Sequence, residues 1–276
     1  MRDHNKAFCR LVAETFDCPA PIVEFGSYQV EGQEGYANLR GMFAGKPYVG
    51  CDMRPGPGVD RIEDVSDISL PDESAGTILC IETFEHVFEV RRAFDEVFRI
   101  LKPGGILLIT SPLNFRIHGY PDDYWRMTPS CLKRMMRPYE GRIIGEQGSH
   151  SFPHSVMALG IKTPTPTDFE LRAGELIRRY GVELAQTEAS LPLRDKVRRR
   201  IGQLYRSKGE RRLIADYYRS EFQVETGVES VAVETHNVAT REVRADLPAT
   251  GSAIPNLHDP KEVGKGTKWR HPSIAY

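Results

Sequence analysis

Between residues 87 and 110 the chain changes its apolar period abruptly, and no other stretch narrows the possible folds as much. Val87, Val90, Ala93, Phe94, Val97, Phe98 and Leu101 recur at the spacing of one helix face. Lys102-Pro103-Gly104-Gly105 then stops the helix, since neither proline nor paired glycines continue one. Ile106-Leu107-Leu108-Ile109-Thr110 follows, apolar at consecutive positions. A strand apolar on both sides belongs to a sheet covered on both faces, and such sheets are parallel with helical crossovers.

The preceding residues repeat that alternation. Phe8, Leu11, Val12 and Phe16 place an amphipathic helix over 5–17, ended by Pro19 and Pro21. Ile22-Val23-Glu24-Phe25-Gly26-Ser27 reads as a buried strand finishing on glycine. A helix over 35–44 carries Tyr36, Leu39, Met42 and Phe43, and Tyr48-Val49-Gly50-Cys51-Asp52-Met53 is a strand ending on an acid. A short strand over 59–63 and another over 77–81 come next. Strands over 142–146 and 155–161 are joined too closely for a helical crossover, so they pair antiparallel. Residues 168–220 are helical in pattern and rich in arginine, and beyond about 235 polar residues, proline and glycine lose all periodicity. The expected layout is an N-terminal helix (1–20), an α/β domain (21–164), a basic helical extension (165–225) and an irregular tail (226–276).

Composition excludes more than it assigns. With 40% hydrophobic and 27% charged residues and a formal net charge of -1, the 276-residue chain has no global bias towards nucleic acid. The five cysteines (Cys9, Cys18, Cys51, Cys80 and Cys131) are scattered, without a CxxC pair, which argues against a disulfide framework or a zinc site. The polar first residues lack a signal-peptide core, and no run reaches the ~20 apolar residues of a membrane span. A cytoplasmic location is the expectation.

In a doubly wound sheet the ligand lies beyond the carboxyl ends of the strands, so strand exits are where chemistry is sought. Glu24-x-Gly26 allows close backbone approach to a ligand, and Asp52 offers a carboxylate to a pair of ribose hydroxyls. The run Asp64-Val65-Ser66-Asp67-Ile68-Ser69-Leu70-Pro71-Asp72-Glu73-Ser74, then Glu85-His86-Val87, then Phe98-Arg99-Ile100-Leu101-Lys102-Pro103-Gly104-Gly105, resembles in order the motifs of class I S-adenosylmethionine-dependent methyltransferases. The resemblance spans about 21–162 and implies a seven-stranded, mostly parallel sheet of order 3-2-1-4-5-7-6. It implies S-adenosylmethionine as cofactor, with Glu24, Gly26 and Ser27 around its amino-acid portion. Asp52 would hold the ribose, Met53 pack on the adenine, Asp64 accept from the adenine amino group and the Val65 amide face the ring. Ile81 and Glu82 would border the methionine end. One departure concerns the glycine-rich loop, where Tyr28 stands at the second glycine position and Gly32 and Gly35 come later. A loop of different shape, or a non-catalytic cofactor-binding module, follows from that change.

The segment after the fifth strand gathers His118, Tyr120, Asp122, Asp123, Tyr124, Trp125 and Arg126. Its His-x-x-Pro-x-Asp-Tyr-Trp-Arg-x-Thr-Pro pattern resembles a bacterial subset of these enzymes associated with sugars or other small hydroxylated molecules. His118 is the candidate base, with Asp122 or Asp123 orienting it; Asp123 is itself a candidate catalytic residue. Tyr120, Tyr124, Trp125 and Arg126 are candidate acceptor-binding residues, as are His150 and His154 between the last two strands. The plainer alternative has Trp125 and Arg126 anchoring the next helix, with Asp123 paired to Arg126. Glu85-His86 is a rival base site, read as shaping the helix start beside the cofactor. No metal site is expected, because Asp122-Asp123 lacks further oxygen ligands. Amino-directed nucleic-acid methyltransferases carry an Asn/Asp/Ser-Pro-Pro-aromatic run where this chain reads Ile81-Glu82-Thr83-Phe84, so nucleic acid is disfavoured. The basic residues of 194–212 suit a solvated face, or contact with phosphates or an anionic membrane surface. The expected reaction is methyl transfer to a hydroxyl of a small molecule or saccharide, with RNA as the alternative acceptor.

Overall fold

The computed structural model describes residues 2–32, 34–119, 121–204 and 216–227, all within the compact unit Met1–Val231. Five parallel strands form its centre: β1 (Ile22–Phe25), β2 (Tyr48–Asp52), β3 (Arg61–Ile62), β4 (Ala75–Ile81) and β5 (Leu101–Pro112). β6 (Gly141–Ser149) and β7 (Phe152–Ile161) form an antiparallel pair, β7 running antiparallel to β5. With β8 (Ser220–Thr226), the strand order is β3-β2-β1-β4-β5-β7-β6-β8, the expected doubly wound order with one strand added at its end.

Alternation along the central strands builds two cores. Val23, Phe25, Ile78, Cys80, Leu107 and Ile109 point to one face, where α3 (Val90–Ile100) and α4 (Pro129–Met135) cover them. Ile22, Leu79, Ile81, Ile106 and Leu108 point to the other, under α1 (Asp3–Thr15) and α5 (Phe169–Ser190). The cysteines behave as small apolar residues: Cys9, Cys18, Cys51 and Cys80 are buried free thiols.

The added strand, β8 (Ser220–Thr226), corrects the expectation of helix through this region. The arginine-rich period ends before it, and Ser220–Thr226 pairs antiparallel with β6. Phe222 stacks on Phe8 at 6.1 Å and meets Tyr180 edge-on at 5.6 Å, tying β8 to α1 and α5. Gly145 on β6 makes room for it, since a Cβ there would lie 2.3 Å from the Phe222 ring. A second correction concerns 35–44, which is a short helix α2 (Glu34–Ala37) followed by a 3-10 turn, Arg40–Phe43. The Asn38 side chain accepts from the Arg40 amide at 3.0 Å and breaks the helical ladder there. The basic stretch begins as α6 (Leu193–Leu204), on which Leu193, Val197 and Ile201 are exposed. Arg206, Lys208, Arg211 and Arg212, and the tail from 228, lie outside the described residues. Among those described, no helix is long and apolar enough to cross a membrane.

The start of α1 is fastened to the carboxyl edge of the sheet. Arg2 donates to the carbonyls of His154 (2.8 Å) and Asn114 (3.0 Å), and His4 Nε2 contacts Ser155 Oγ at 3.0 Å. Burial, reinforced by the Arg2 charge, lowers His4 to about 3 and His154 to about 4. Both imidazoles are therefore neutral in the fold and take up protons on unfolding below pH 6.5, so stability rises with pH across that range. We expect stability to fall between pH 6.5 and 4 by roughly 1–3 kcal/mol for each imidazole. Urea unfolding at stepped pH checks this, and a His4→Asn/His154→Leu variant should flatten the dependence.

Candidate active site

Because β1, β2, β4 and β5 run parallel, their carboxyl ends share one edge, and a cavity of about 590 Å³ opens there. Its first wall is the exit of β1. The Gly26 and Ser27 amides donate to the Cys51 carbonyl at 2.9 and 3.1 Å, turning the chain across the end of β2. Gly26 has φ +83°, and a Cβ there would lie 2.4 Å from Thr83 Oγ1, which itself donates to the Phe25 carbonyl at 2.9 Å. Glycine is required here by backbone conformation and by space.

Asp52, at the end of β2, accepts from the Tyr28 amide (3.3 Å) and the Arg54 amide (3.1 Å), which orient its carboxylate in the cavity wall. The Tyr28 side chain leaves the loop and fills the space beside Gly56, where a Cβ would lie 2.3 Å from the ring; Arg54 stacks on the ring at 4.7 Å. That arrangement accommodates a large side chain at a position where glycine is usual in the motif. Glu24 is buried beneath the same wall and accepts from Tyr48 Oη at 2.5 Å. Burial raises its carboxyl to about 7, against the lowering effect of that hydrogen bond. Asp64 and Val65 lie opposite in a tight turn, with Asp64 Oδ1 accepting from the Ser66 amide at 2.8 Å.

The exit of β4 is strained. Glu82 has φ +51°, a left-handed conformation that costs a non-glycine residue of the order of 1–3 kcal/mol. It is held by its amide donating to the Thr110 carbonyl at 2.9 Å and by Asn5 Nδ2 donating to its carboxylate at 2.7 Å. The 3-10 turn Phe84–His86 follows, and the loop after β5 is zipped onto it. The Tyr124 and Trp125 amides donate to the Glu85 carbonyl at 2.8 and 3.2 Å, and Trp125 Nε1 donates to the Val87 carbonyl at 2.9 Å. His86 Nδ1 donates to the Asp122 carbonyl at 2.5 Å.

Asp123 organises this loop. Its side chain, 2% exposed, accepts from the His118 amide (2.8 Å), meets His118 Nδ1 (3.0 Å) and pairs with the Arg126 guanidinium. The Arg126 hydrogen bonds hold its carboxyl well below the usual range, so it stays ionised. His118 and His86 meet edge to face at 4.8 Å between ring centroids, and both line the cavity. Glu85 is fully buried behind them, and burial together with the Glu82 charge pushes its carboxyl to about 8. Phe88 and Tyr124, edge to face at 5.3 Å, wall the opening with Phe115.

Of the residues singled out from sequence, Glu24, Gly26, Asp52, Met53, Asp64, Val65, Ile81, Glu82, His118 and Tyr124 line the cavity. Ser27 and Asp123 lie behind its wall, and Trp125 and Arg126 fasten the loop. The Thr128 hydroxyl then caps α4, accepting from the Cys131 amide at 3.2 Å. His150 and His154 are not brought to the cavity. His150 is 73% exposed beside Glu146 and Glu221, at the far edge of the sheet, and His154 is buried 4.4 Å from the Tyr217 ring. Tyr120 lies outside the described residues. Phe88 and Thr83 escape a sequence reading because neither belongs to a recognisable motif, although Thr83 follows a strand end directly.

Residues 45–109 match the family model for a methyltransferase domain. A probable S-adenosylmethionine-dependent methyltransferase of Mycolicibacterium smegmatis is 33% identical over 57 residues, which is 20% of this chain and only 22% of the relative's length. Among solved structures, a possible histamine N-methyltransferase of Thermotoga maritima superposes with a TM-score of 0.43 at 20% identity, covering 58% of this chain and 91% of that one. The 1,6-didemethyltoxoflavin-N1-methyltransferase of Burkholderia thailandensis, solved with S-adenosylhomocysteine, gives 0.45 at 14% identity, covering 58% and 79%.

Gly26→Ala should destabilise the fold by about 1–3 kcal/mol, because it meets both the strained backbone and Thr83. Gly32→Ala, also at positive φ but with nothing within 4 Å of its Cβ, should cost less. Urea unfolding midpoints of the two variants, compared with the parent, decide between them.

Proposed function

We propose that this chain is an S-adenosylmethionine-dependent methyltransferase acting on a hydroxyl of a small molecule or saccharide. The observation that carries the reading is one cavity, with cofactor-type groups on the β1, β2 and β4 exits and a histidine–aspartate pair on the loop after β5. The match over 45–109 supports the methyltransferase class, and nothing in it distinguishes oxygen from nitrogen acceptors.

The residues present fit the cofactor. The cavity volume is in the range of sites for nucleoside-sized ligands. Asp52 offers a carboxylate already oriented by two amides. Glu24 provides a second, buried acid whose ionised form a cationic amino group would favour. When bound, S-adenosylmethionine supplies an electrophilic methyl group on a sulfonium. Asp52, Asp64 and Val65 would hold the nucleoside, and Glu24, Gly26 and Glu82 would face the amino-acid end.

On the acceptor side, Asp123 fixes the imidazole tautomer. An ionised carboxylate only accepts, so His118 Nδ1 carries the hydrogen and Nε2 keeps its lone pair. That nitrogen takes the proton of the acceptor hydroxyl, and Asp123 compensates the charge that develops on the ring. Phe88, Tyr124 and Phe115 supply an apolar wall on which a sugar or aromatic ring can lie.

Calorimetry with S-adenosylmethionine should show one site, and Asp52→Ala should weaken it at least tenfold. Affinity unchanged in that variant would overturn the cofactor placement. His118→Ala should abolish methyl transfer to fractionated small-molecule acceptors while cofactor affinity is preserved; binding without turnover by the parent would indicate a cofactor-binding module instead. Affinity for S-adenosylmethionine should also rise with pH between about 6 and 8. The apo form holds Glu24 protonated up to about 7, and the cofactor's ammonium favours the carboxylate, so binding releases a proton. Glu24→Gln should remove that dependence.

A further inference from the structure

We propose that Glu85, His86 and His118 form a site for one divalent transition-metal cation, opening onto the acceptor side of the cavity. A carboxylate oxygen of Glu85 and one ring nitrogen from each histidine lie within 4.8 Å of one another. Two imidazoles and a carboxylate are the donor set of mononuclear zinc, iron(II) and cobalt sites with open positions. A cation about 2.1 Å from each donor would hold them roughly 3.0–3.4 Å apart, drawing Glu85 Oε1 and His86 Nε2 together from 3.9 Å.

Three features separate this cluster from an accidental meeting of polar groups. Glu85 is fully buried, and its Oε1 has no hydrogen-bond partner among the described residues; His86 Nε2 is the nearest charged-pair contact, at 3.9 Å. A carboxylate oxygen in that position is costly unless a positive charge or a donor meets it. Both histidines have their Nδ1 committed elsewhere, His86 to the Asp122 carbonyl at 2.5 Å and His118 to Asp123 at 3.0 Å. Ligating histidines are oriented in this way, the second nitrogen donating to a carbonyl or carboxylate. The Nε2 atoms are thus the nitrogens with lone pairs to offer. Finally, His86 and His118 line the cavity, so the remaining coordination positions face a ligand entering it.

The inference rests on the methyl-transfer reading and deepens it. A hydroxyl brought to the cation would have its pKa lowered and its oxygen positioned; its proton would go to water, the oxygen–methyl bond would form as the methyl–sulfur bond of the sulfonium breaks, and the neutral thioether S-adenosylhomocysteine would leave. His118 is then a ligand, Asp123 a positioning residue, and the acceptor class narrows to compounds presenting a hydroxyl, or two adjacent hydroxyls, to a metal.

Cobalt(II) titration of the full chain, stripped with EDTA, tests the site by visible absorption and calorimetry. One cobalt per chain is expected, with affinity at least tenfold lower in Glu85→Gln and in His86→Gln, and about tenfold lower in Asp123→Asn. Circular dichroism and S-adenosylmethionine affinity confirm that each variant is folded. His150→Ala removes the other cluster of possible ligands, Glu146, His150 and Glu221, and should leave the stoichiometry unchanged. The absence of a saturable site, affinity unchanged in Glu85→Gln and His86→Gln, or loss only in His150→Ala would overturn the proposal. Turnover that survives chelation but is lost in His118→Ala would overturn the cation and leave the imidazole base. Failure of S-adenosylmethionine to bind would instead defeat the methyl-transfer reading, whatever the cobalt result.

Discussion

Burial of β1 and β4 on both faces is the constraint from which the rest of the structure follows. Every residue of both strands is buried, so each needs a helix layer on either side and a parallel neighbour on either edge. Parallel strands return through helical crossovers, and that geometry delivers the ends of β1, β2, β4 and β5 to a single edge. The cavity is the space those four exits leave between them. Polar groups placed at consecutive strand ends, Glu24, Asp52 and Glu82, meet there although they are far apart in sequence.

The second half of the site depends on a different kind of bond. The described residues of the loop after β5, 115–119 and 121–128, form no helix or strand, and their side chains could not hold a geometry unaided. Asp123 supplies the fixed point, satisfied by the His118 amide, the His118 ring and the Arg126 guanidinium. Charge-assisted bonds to a nearly inaccessible carboxylate are stronger than exposed ones and leave it little reason to move. The Glu85 and Val87 carbonyls then accept from Tyr124 and Trp125, so the loop is registered on the turn after β4. Trp125 and Arg126 thereby hold the loop, Trp125 on the turn after β4 and Arg126 on Asp123 and the Arg116 carbonyl.

What was legible in the sequence follows from how local each signal is. Helix and strand periods over 87–110 depend on neighbouring residues, and they delivered a crossover helix and a buried parallel strand; the strand order came from the resemblance of the ordered motifs. Asp52 stood out because it ends a strand, and Asp64 because it opens the run that resembles a methyltransferase motif. The helix over 35–44 failed because Asn38 offered the Arg40 amide a competing partner, which apolar spacing does not reveal. β8 failed because an edge strand added through Phe222 depends on space left by Gly145, on a strand some 75 residues earlier. His150 and His154 read like pocket residues by type, but the hairpin register sends one to solvent and buries the other beside Tyr217.

The meeting of His86 with His118 was the least legible feature, since it requires two loops to be docked before the two rings meet. Neither histidine alone distinguishes a base from a structural residue. Docked, each Nδ1 is given to an oxygen, beside a buried carboxyl group one of whose oxygens has no partner among the described residues. The same docking that excludes solvent from Glu85 therefore creates its demand for a positive partner. An acid buried with one oxygen unmet destabilises a fold unless something that binds later compensates it, and this one lies behind the wall of the cavity a ligand would enter.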